Sequence, residues 1–404
     1  MIRLALVVTL AATSTYAAED WPKWLGPQGT GISRETGLAE QWPRSGPKQL
    51  WGKKVGVGHS SPIAVDGRVY LFHLVGNQDY LTCFDADSGK IIWNQTYNGG
   101  WTGAYKGTRA TPTIEKDDNR IYTLGGTGHL VCRELDSGKP VWALDTLKAT
   151  GGQPLQWGQA SSPLIIEDRI FVQGGDGGAL CLCVDKKSGR PLWDSQARDK
   201  AGYAAIVPID VDDRPQLVVL GGRAVYGVNP KDGRTVWQQP WVTNFDVNAA
   251  TPVFRDGHLF VTSEYGHGCM MLRIDSRGVR KLWEKKDIQS KMQPPILDGD
   301  HLYANSAGTI KCMSWPDGKI VWESKDRKLD LGAGGTMVRV GDKLITLSER
   351  GKLSLVQATP EGIKLLAQTQ QFDAREAWST PLLYGGRLYA KGGEELVCLD
   401  VSGR

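Results

Sequence analysis

The sequence predicts an all-β fold, an eight-bladed β-propeller in which four-stranded antiparallel blades form a closed ring. Three observations lead to this prediction. A turn followed by a tryptophan recurs along the chain with 39 to 51 residues between successive tryptophans, a spacing typical of propeller blades. Short apolar segments separated by turn signals precede each recurrence. The N-terminal strand and the incomplete last repeat together supply the strands of one further blade.

The recurring pattern is clearest at residues 83–93, which read CFDADSGKIIW. An apolar strand ends at Phe84, a turn rich in Asp, Ser and Gly follows, and an apolar strand resumes at Ile91. These turn residues bond nearby backbone groups or accept positive φ, so they favour a tight hairpin. The same spacing from a small residue to glycine to tryptophan recurs in further copies that begin at Cys132, Cys183, Gly227 and Cys312.

Two copies of the pattern are degenerate. One has Asp275, Gly278 and Trp283 with a slip of one residue. In the other we expect Ala358, Gly362 and Leu366 to take the places of the small residue, the glycine and the tryptophan.

Each repeat begins with a dipeptide of the Ser/Thr-Pro kind, followed by an apolar strand and a tight turn. In the first repeat these are Ser61-Pro62, residues 63–65 and Asp66-Gly67. Asp-Gly between apolar segments is a strong hairpin signal. Counted with the weaker copies, the repeats give eight units, and no segment of useful length has helical periodicity.

The chain ends complete one another in this scheme. Residues 48–55 have strand character but no hairpin partner before them, while the last repeat, which begins at Cys398, stops before its tryptophan strand. We therefore expect the N-terminal strand to complete the last blade, with Trp51 in the tryptophan position. Such closure removes exposed sheet edges.

Three segments follow from this assignment. Residues 1–17 have a charged start at Arg3, an apolar run and a Thr-Tyr-Ala end, the form of a secretory signal peptide. Residues 18–46 are predicted to be an irregular arm, because Pro and Gly are frequent there, with Trp21 and Trp24 packed against the body. Residues 47–404 form the single propeller.

Composition describes a globular chain with 40% apolar and 23% charged residues. The net charge is +4, or +3 without Arg3, too small to indicate binding to nucleic acid or to a membrane surface. Five of the seven cysteines occupy the same position of successive repeats. We interpret those five as packing residues, because no metal-binding or redox spacing accompanies them.

The repeat resembles the tryptophan-docking motif of the PQQ-like β-propellers, which include quinoprotein alcohol dehydrogenases and the non-enzymatic outer-membrane assembly factor BamB. The residues that carry the resemblance are a small residue, an acid, Ser-Gly and tryptophan, as in Cys83, Asp85, Ser88, Gly89 and Trp93. The match extends over most of residues 47–404. It implies that one tryptophan per blade packs between neighbouring blades, namely Trp51, Trp93, Trp142, Trp193, Trp237, Trp283 and Trp322.

The resemblance also implies two functions of different kinds. The quinoprotein dehydrogenases hold their cofactor over a ring of two adjacent disulfide-bonded cysteines, with a calcium ion and a catalytic aspartate. This sequence has no Cys-Cys pair and no matching calcium or catalytic motif. We therefore expect no catalytic residue, no metal ligand and no cofactor, with PQQ and calcium as the alternative. A weak metal-binding pattern, Glu264 and His267 in a glycine turn, is also present.

The candidate binding residues lie in the loops before the first strand of each blade, which we call the leading loops. Propeller topology places these loops on one face of the ring, the upper face, and loops on a rigid scaffold often carry binding residues. Each aromatic residue equally fits packing at a blade junction. The candidates are His59, Trp101, Tyr105, Arg109, Trp157, Gln159, Trp241, Phe245, Asn248, Arg375 and Trp378.

Two hypotheses for function follow. The preferred one is a non-catalytic binding or scaffold protein, secreted or periplasmic after signal-peptide removal, whose upper face binds a protein, peptide or carbohydrate. We expect it to be a monomer without a membrane span. The alternative is a PQQ-dependent dehydrogenase of alcohols or sugars.

Overall fold

The structure is a computed structural model that describes residues 18–97 and 99–403. It confirms the predicted eight-bladed propeller, because the described strands form eight sheets. Antiparallel pairing of consecutive strands builds each blade. The predicted signal peptide, residues 1–17, lies outside the described residues.

The elements follow one another in chain order from the arm to the last blade. The arm and the closing strand contribute β1 (Ile32–Ser33) and β2 (Lys48–Lys54). Blades 1 to 4 contain β3 (Ile63–Val65), β4 (Arg68–Val75), β5 (Gln78–Asp85), β6 (Ile91–Thr96); β7 (Thr113–Glu115), β8 (Arg120–Leu124), β9 (His129–Glu134), β10 (Pro140–Asp145); β11 (Leu164–Ile166), β12 (Arg169–Gln173), β13 (Cys181–Asp185), β14 (Pro191–Asp194); β15 (Val207–Val211), β16 (Arg214–Leu220), β17 (Ala224–Val228) and β18 (Thr235–Pro240).

Blades 5 to 8 continue the same arrangement. They contain β19 (Val253–Arg255), β20 (His258–Ser263), β21 (Gly268–Asp275), β22 (Gly278–Lys285); β23 (Ile296–Asp298), β24 (His301–Ser306), β25 (Thr309–Ser314), β26 (Ile320–Glu323); β27 (Thr336–Val340), β28 (Lys343–Leu347), β29 (Lys352–Thr359), β30 (Gly362–Gln370); β31 (Leu382–Tyr384), β32 (Arg387–Gly392) and β33 (Glu395–Asp400). Among the residues that the structure describes, helix is limited to α1 (Thr146–Thr150) and to 3-10 turns at Asn244–Asp246 and Arg327–Leu329.

The ring closes as the sequence predicts. Strand β2 pairs antiparallel with β33, and Trp51 lies opposite Cys398. The arm also contacts the C-terminal end, since the Gly403 amide donates to the Gly37 carbonyl at 2.9 Å. Blade 8 is thus built from both ends of the chain.

The docking tryptophans join each blade to the next. The Trp142 indole Nε1 donates to the Lys186 carbonyl of the following blade at 3.1 Å, and its ring covers Gly189, where an added Cβ would lie 2.5 Å from the ring. Positive φ at Gly189 (+73°) completes the turn. Equivalent inter-blade bonds are made by Trp51, Trp93, Trp193, Trp283 and Trp322.

Trp237 departs from this arrangement. Its Nε1 donates to Gln216 Oε1 of its own blade at 2.7 Å. The next turn, at Gly278, has open space where the indole would dock. The repeat with Gly278 is the one whose spacing differs by one residue in the sequence. In the structure, the junction between blades 4 and 5 at this turn has no inter-blade tryptophan hydrogen bond between described residues.

The cysteines of the repeat face the tryptophans across the sheet. Cys83 pairs with Trp93 and Cys183 with Trp193, and all seven cysteines are free and buried. A small side chain leaves room for the indole opposite it. The prediction for the seventh repeat was wrong: Leu355 and Ala367 occupy the paired positions, because β29 and β30 extend further into the turn than the pattern suggested.

The Ser/Thr-Pro dipeptides also link blades. The Ser61 amide donates to Thr111 Oγ1 at 3.1 Å, and the Thr111 amide donates to Ser162 Oγ at 2.9 Å. Blade 8 joins blade 1 in the same way, through the Thr380 amide and Ser61 Oγ at 2.9 Å. Each hydroxyl thereby satisfies a buried amide of its neighbour.

The arm crosses the central channel. Trp21 forms a β-bridge with Ala64 of blade 1 and is only 3% exposed. Further along, β1 adds a fifth, parallel strand to blade 7, with Ile32 opposite Arg339. Between these points Trp24 reaches the channel centre. The channel is therefore filled in part by the chain's own N-terminal segment.

Candidate functional site

A cavity of about 220 Å³ opens at the upper mouth of the channel. The leading loops of several blades line it, together with Trp24 of the arm. Aromatic side chains dominate the lining: Trp24, His59, Tyr105, Trp157, Tyr203, Tyr265 and Trp378. Rings carried by separate blades thus meet around one space.

The structure brings five of the eleven candidate residues into this cavity, namely His59, Tyr105, Arg109, Trp157 and Trp378. The rings contact one another closely. The centroids of His59 and Trp378 are 4.6 Å apart, and those of Tyr105 and Trp378 are 5.2 Å apart. Such contacts orient the rings, which makes the cavity preformed.

Arg109 holds the loop that carries Tyr105. Its guanidinium donates to the carbonyls of Gly107 (2.7 Å) and Ala104 (2.9 Å). Trp101 lies outside the cavity but lies against the same guanidinium, 5.6 Å from its ring centroid. Burial lowers the pKa of Arg109 to about 10, so the side chain remains cationic at neutral pH.

His59 is neutral at physiological pH. Burial, together with the positive charges of Arg109 and Lys391, lowers its pKa to about 3, and the Glu376 backbone opposes this only in part. Both ring nitrogens are buried, and neither forms a hydrogen bond of full geometry with a described residue. A buried polar group without a partner is unfavourable, so His59 is a feature of this cavity that packing alone does not explain.

Lys291, Tyr203 and Tyr265 line the cavity but were not among the predicted residues. The Lys291 ammonium lies 5.5 Å from the Trp378 ring centroid and 5.8 Å from that of Tyr265. Glu264 Oε2 lies 4.0 Å from this ammonium. Lys291 lies three residues before Pro294-Pro295, in the leading loop of blade 6, so the rule that selected residues of the other leading loops also applied to it.

The remaining candidates lie elsewhere. Gln159 and Asn248 are buried and bond backbone carbonyls, for example Gly174 at 2.7 Å and Gly221 at 2.8 Å. Trp241 is buried with its Nε1 on Ser263 Oγ. Phe245 is 67% exposed and Arg375 is exposed, both outside the cavity. The first three have evident structural roles in the loops.

The described residues do not assemble a metal site. Residues 18–97 and 99–403 contain no group of three or more His, Cys, Asp and Glu side chains that could hold a metal ion. His267, one of the two weak candidates, packs edge-on against Trp241 with centroids 4.1 Å apart. Glu264, the other candidate, is instead the carboxylate that faces Lys291.

A second cavity of about 440 Å³ lies beside the arm. Trp24 borders both cavities. Residues of the inner strands and their prolines, such as Pro163, Pro208 and Pro252, surround the second space. Trp24 therefore separates the upper cavity from the rest of the channel.

Solved structures show the same fold. BamB from Moraxella catarrhalis matches with a TM-score of 0.62 at 16% identity, over 87% of this chain and 96% of that one. A quinohemoprotein alcohol dehydrogenase from Pseudomonas putida matches with a TM-score of 0.66 at 12% identity, over 96% and 81%. The computationally designed Ika8 protein matches with a TM-score of 0.62 at 11% identity, over 87% and 98%. No curated protein matches the sequence.

Identities this low establish the fold alone, since one fold serves many functions. The membership of the chain rests on a family model described as outer membrane protein assembly factor BamB, which matches residues 107–324. This match covers more than half of the chain, and it includes the repeats that begin at Cys132, Cys183, Gly227 and Cys312. The chain belongs to this family of PQQ-like propellers.

Proposed function

We propose that this protein is a non-catalytic binding or scaffold protein whose upper face binds a protein, peptide or carbohydrate ligand. The observation that carries the proposal is the preformed aromatic cavity at the channel mouth, with Arg109 and Lys291 in its wall. Tryptophan, tyrosine and arginine are the residues that contribute most to binding at protein surfaces. Rings held by a rigid scaffold also lose little entropy when a ligand binds.

The chemistry of the lining supports binding rather than catalysis. None of the described residues that line the cavity is a carboxylate, so the lining offers no aspartate or glutamate as a general base. His59, with a pKa of about 3, is a weak base at neutral pH. General acid-base catalysis works best with a pKa near the operating pH, and this lining does not offer one.

The residues present do not fit PQQ with calcium as the resemblance describes them. The sequence has no adjacent cysteines, and its seven cysteines are buried in separate strands. The described residues also lack a carboxylate cluster suited to calcium. We therefore propose that the protein acts without this cofactor, although a quinoprotein dehydrogenase is among the structures with the same fold.

The proposed location is the periplasm or the exterior, after removal of residues 1–17, and the proposed state is a monomer. The family description names an outer membrane protein assembly factor, BamB, and BamB from Moraxella catarrhalis has the same fold, which supports an extracytoplasmic site. Among residues 18–97 and 99–403, no helix has the length and apolar character required to cross a membrane.

Two measurements test the proposal. With PQQ and calcium we expect no rise in melting temperature and no dye reduction with alcohols or sugars, since a ligand specific for the native state would stabilise it. Turnover would overturn the proposal.

The second measurement is capture of partners from a periplasmic extract by the wild type and by two variants. Arg109→Ala removes the brace of the cavity loop, so we expect it to reduce capture at least tenfold. Arg190→Ala, at an exposed arginine in the turn between β13 and β14 and so away from the leading loops, is the matched control and should capture as the wild type does. Equal capture by both variants would place binding elsewhere on the molecule.

A further inference from the structure

Several polar side chains that line the upper cavity have a hydrogen-bond donor that no described residue uses. Lys291 makes no hydrogen bond with a described residue, and its nearest acid, Glu264, is 4.0 Å away. The buried hydroxyl of Tyr203 likewise forms no hydrogen bond of full geometry with a described residue; the Trp157 backbone lies near its oxygen as a donor, which leaves the hydroxyl hydrogen for a ligand. Both side chains line the cavity, so both have donors to offer a ligand.

The hydroxyls that link the blades add further donors. Thr111, Ser162 and Thr251 line the cavity, and each accepts an amide hydrogen from a neighbouring blade at 3.1, 2.9 and 3.1 Å. A hydroxyl that accepts in this way still has its own hydrogen to donate. Within residues 18–97 and 99–403, none of the three donates that hydrogen to another residue.

The charges of the lining have one sign. Arg109 and Lys291 are cationic, His59 is neutral, and no described lining residue is acidic. The Lys291 ammonium already lies near the faces of Trp378 and Tyr265, where a cationic ligand would otherwise make its contacts. A cavity with this composition disfavours a cation and favours a ligand with negative charge.

Size and shape narrow the ligand further. The volume of about 220 Å³ is below the ~300–1,000 Å³ of pockets for drug-sized ligands, which suits a single ring. Aromatic walls offer flat apolar surfaces to the faces of such a ring. Donors that come from several blades require acceptor oxygens around the whole ring, which a sugar supplies and a simple aromatic acid does not.

We propose that the upper cavity binds an acidic sugar, a pyranose ring with a carboxylate, whose carboxylate pairs with Lys291 and whose hydroxyl oxygens accept from Tyr203 and the inter-blade hydroxyls. This inference rests on the proposed binding function and specifies its ligand. The Trp157 ring lies beside the sugar ring, while Trp378 holds Lys291 against its face.

Calorimetric titration of the full chain with four probes tests the ligand class. We expect glucuronate or galacturonate to bind at least tenfold more tightly than glucose, glucosamine and benzoate. The neutral sugar tests the carboxylate, the amino sugar tests the sign of charge, and benzoate tests the need for a polyhydroxylated ring. Equal binding of glucose or benzoate, or binding of none of the probes, overturns the inference.

Three variants test the named residues. Lys291→Met should weaken uronate binding at least tenfold, whereas Lys291→Arg keeps the charge and should stay within about threefold of the wild type. Tyr203→Phe removes a hydroxyl that donates to no described residue, so it should weaken binding severalfold while changing the melting temperature little. Undiminished uronate affinity in a folded Lys291→Met protein would refute the assignment.

The two proposals fail in distinguishable ways. If a neutral sugar binds as tightly as the uronate, or if only a protein partner is captured, the acidic-sugar inference fails and the binding function stands. Quinone-dependent turnover removes the binding function itself.

Discussion

Gly189→Ala tests whether inter-blade tryptophan docking stabilises the ring. The substitution places a methyl group 2.5 Å from the Trp142 ring at a position with φ of +73°. An alanine in the left-handed region costs ~1–2 kcal/mol. Displacement of the ring adds ~1–3 kcal/mol for overpacking, and loss of the bond from Trp142 Nε1 to the Lys186 carbonyl adds ~0.5–1.5 kcal/mol. The free energy of unfolding should fall by about 2.5–6.5 kcal/mol in total.

Gly177→Ala is the matched control. Gly177 has nearly the same φ, +74°, but nothing lies within 4 Å of an added Cβ, so only the backbone cost of ~1–2 kcal/mol applies. Equilibrium urea unfolding, followed by tryptophan fluorescence, measures both variants against the wild type. If the two variants lose the same free energy of unfolding to within about 0.5 kcal/mol, docking does not contribute as described.

Two further predictions concern buried ionisable groups. Burial lowers the pKa of Lys391 to about 7. Between pH 7 and about 10.4 this lysine is therefore protonated in the unfolded chain and neutral in the folded chain. Over that range it makes the free energy of unfolding rise with pH, by up to ~1.36 kcal/mol per pH unit. Lys391→Met should remove this pH dependence. If the free energy of unfolding changes equally between pH 7 and 9.5 in the wild type and in the variant, the assignment is contradicted. Burial raises the pKa of Asp79 to about 7, so its contribution to stability falls as pH rises from about 4 to 7. Asp79→Asn should therefore gain stability relative to the wild type over that range, as measured by urea unfolding at both ends.

The propeller could be predicted because its determinants are local and repeated. Each blade carries its own turn residues, and the position of Trp51 followed from the strand that the last repeat lacks. The degenerate seventh repeat shows where this reasoning ends. This repeat has no tryptophan and no cysteine to mark the paired positions. The length of its strands places Leu355 opposite Ala367, and the sequence pattern does not show how long the strands are.

The cavity was predictable only in part, because convergence of loops is a property of the whole ring. Aromatic residues in the leading loops pointed to the right face, and His59 and Trp378 meet there. Gln159 and Asn248 have the same polar character in the sequence, but the loops use them to satisfy their own buried carbonyls. Trp24 could not be placed in advance, since nothing in the arm's composition shows that it crosses the channel.

Closure of the ring by the chain's two ends has a consequence for the order of folding. The partners of β2 and β1 lie in β33 and β27, some three hundred or more residues later. Contacts so distant in sequence form slowly, because a large loop must close before any bond rewards it. Strands β1 and β2 therefore stay without these partners until β27 and β33 have been synthesised. During that interval an unpaired strand edge is open to other chains, so chaperone protection matters most for residues 32–54.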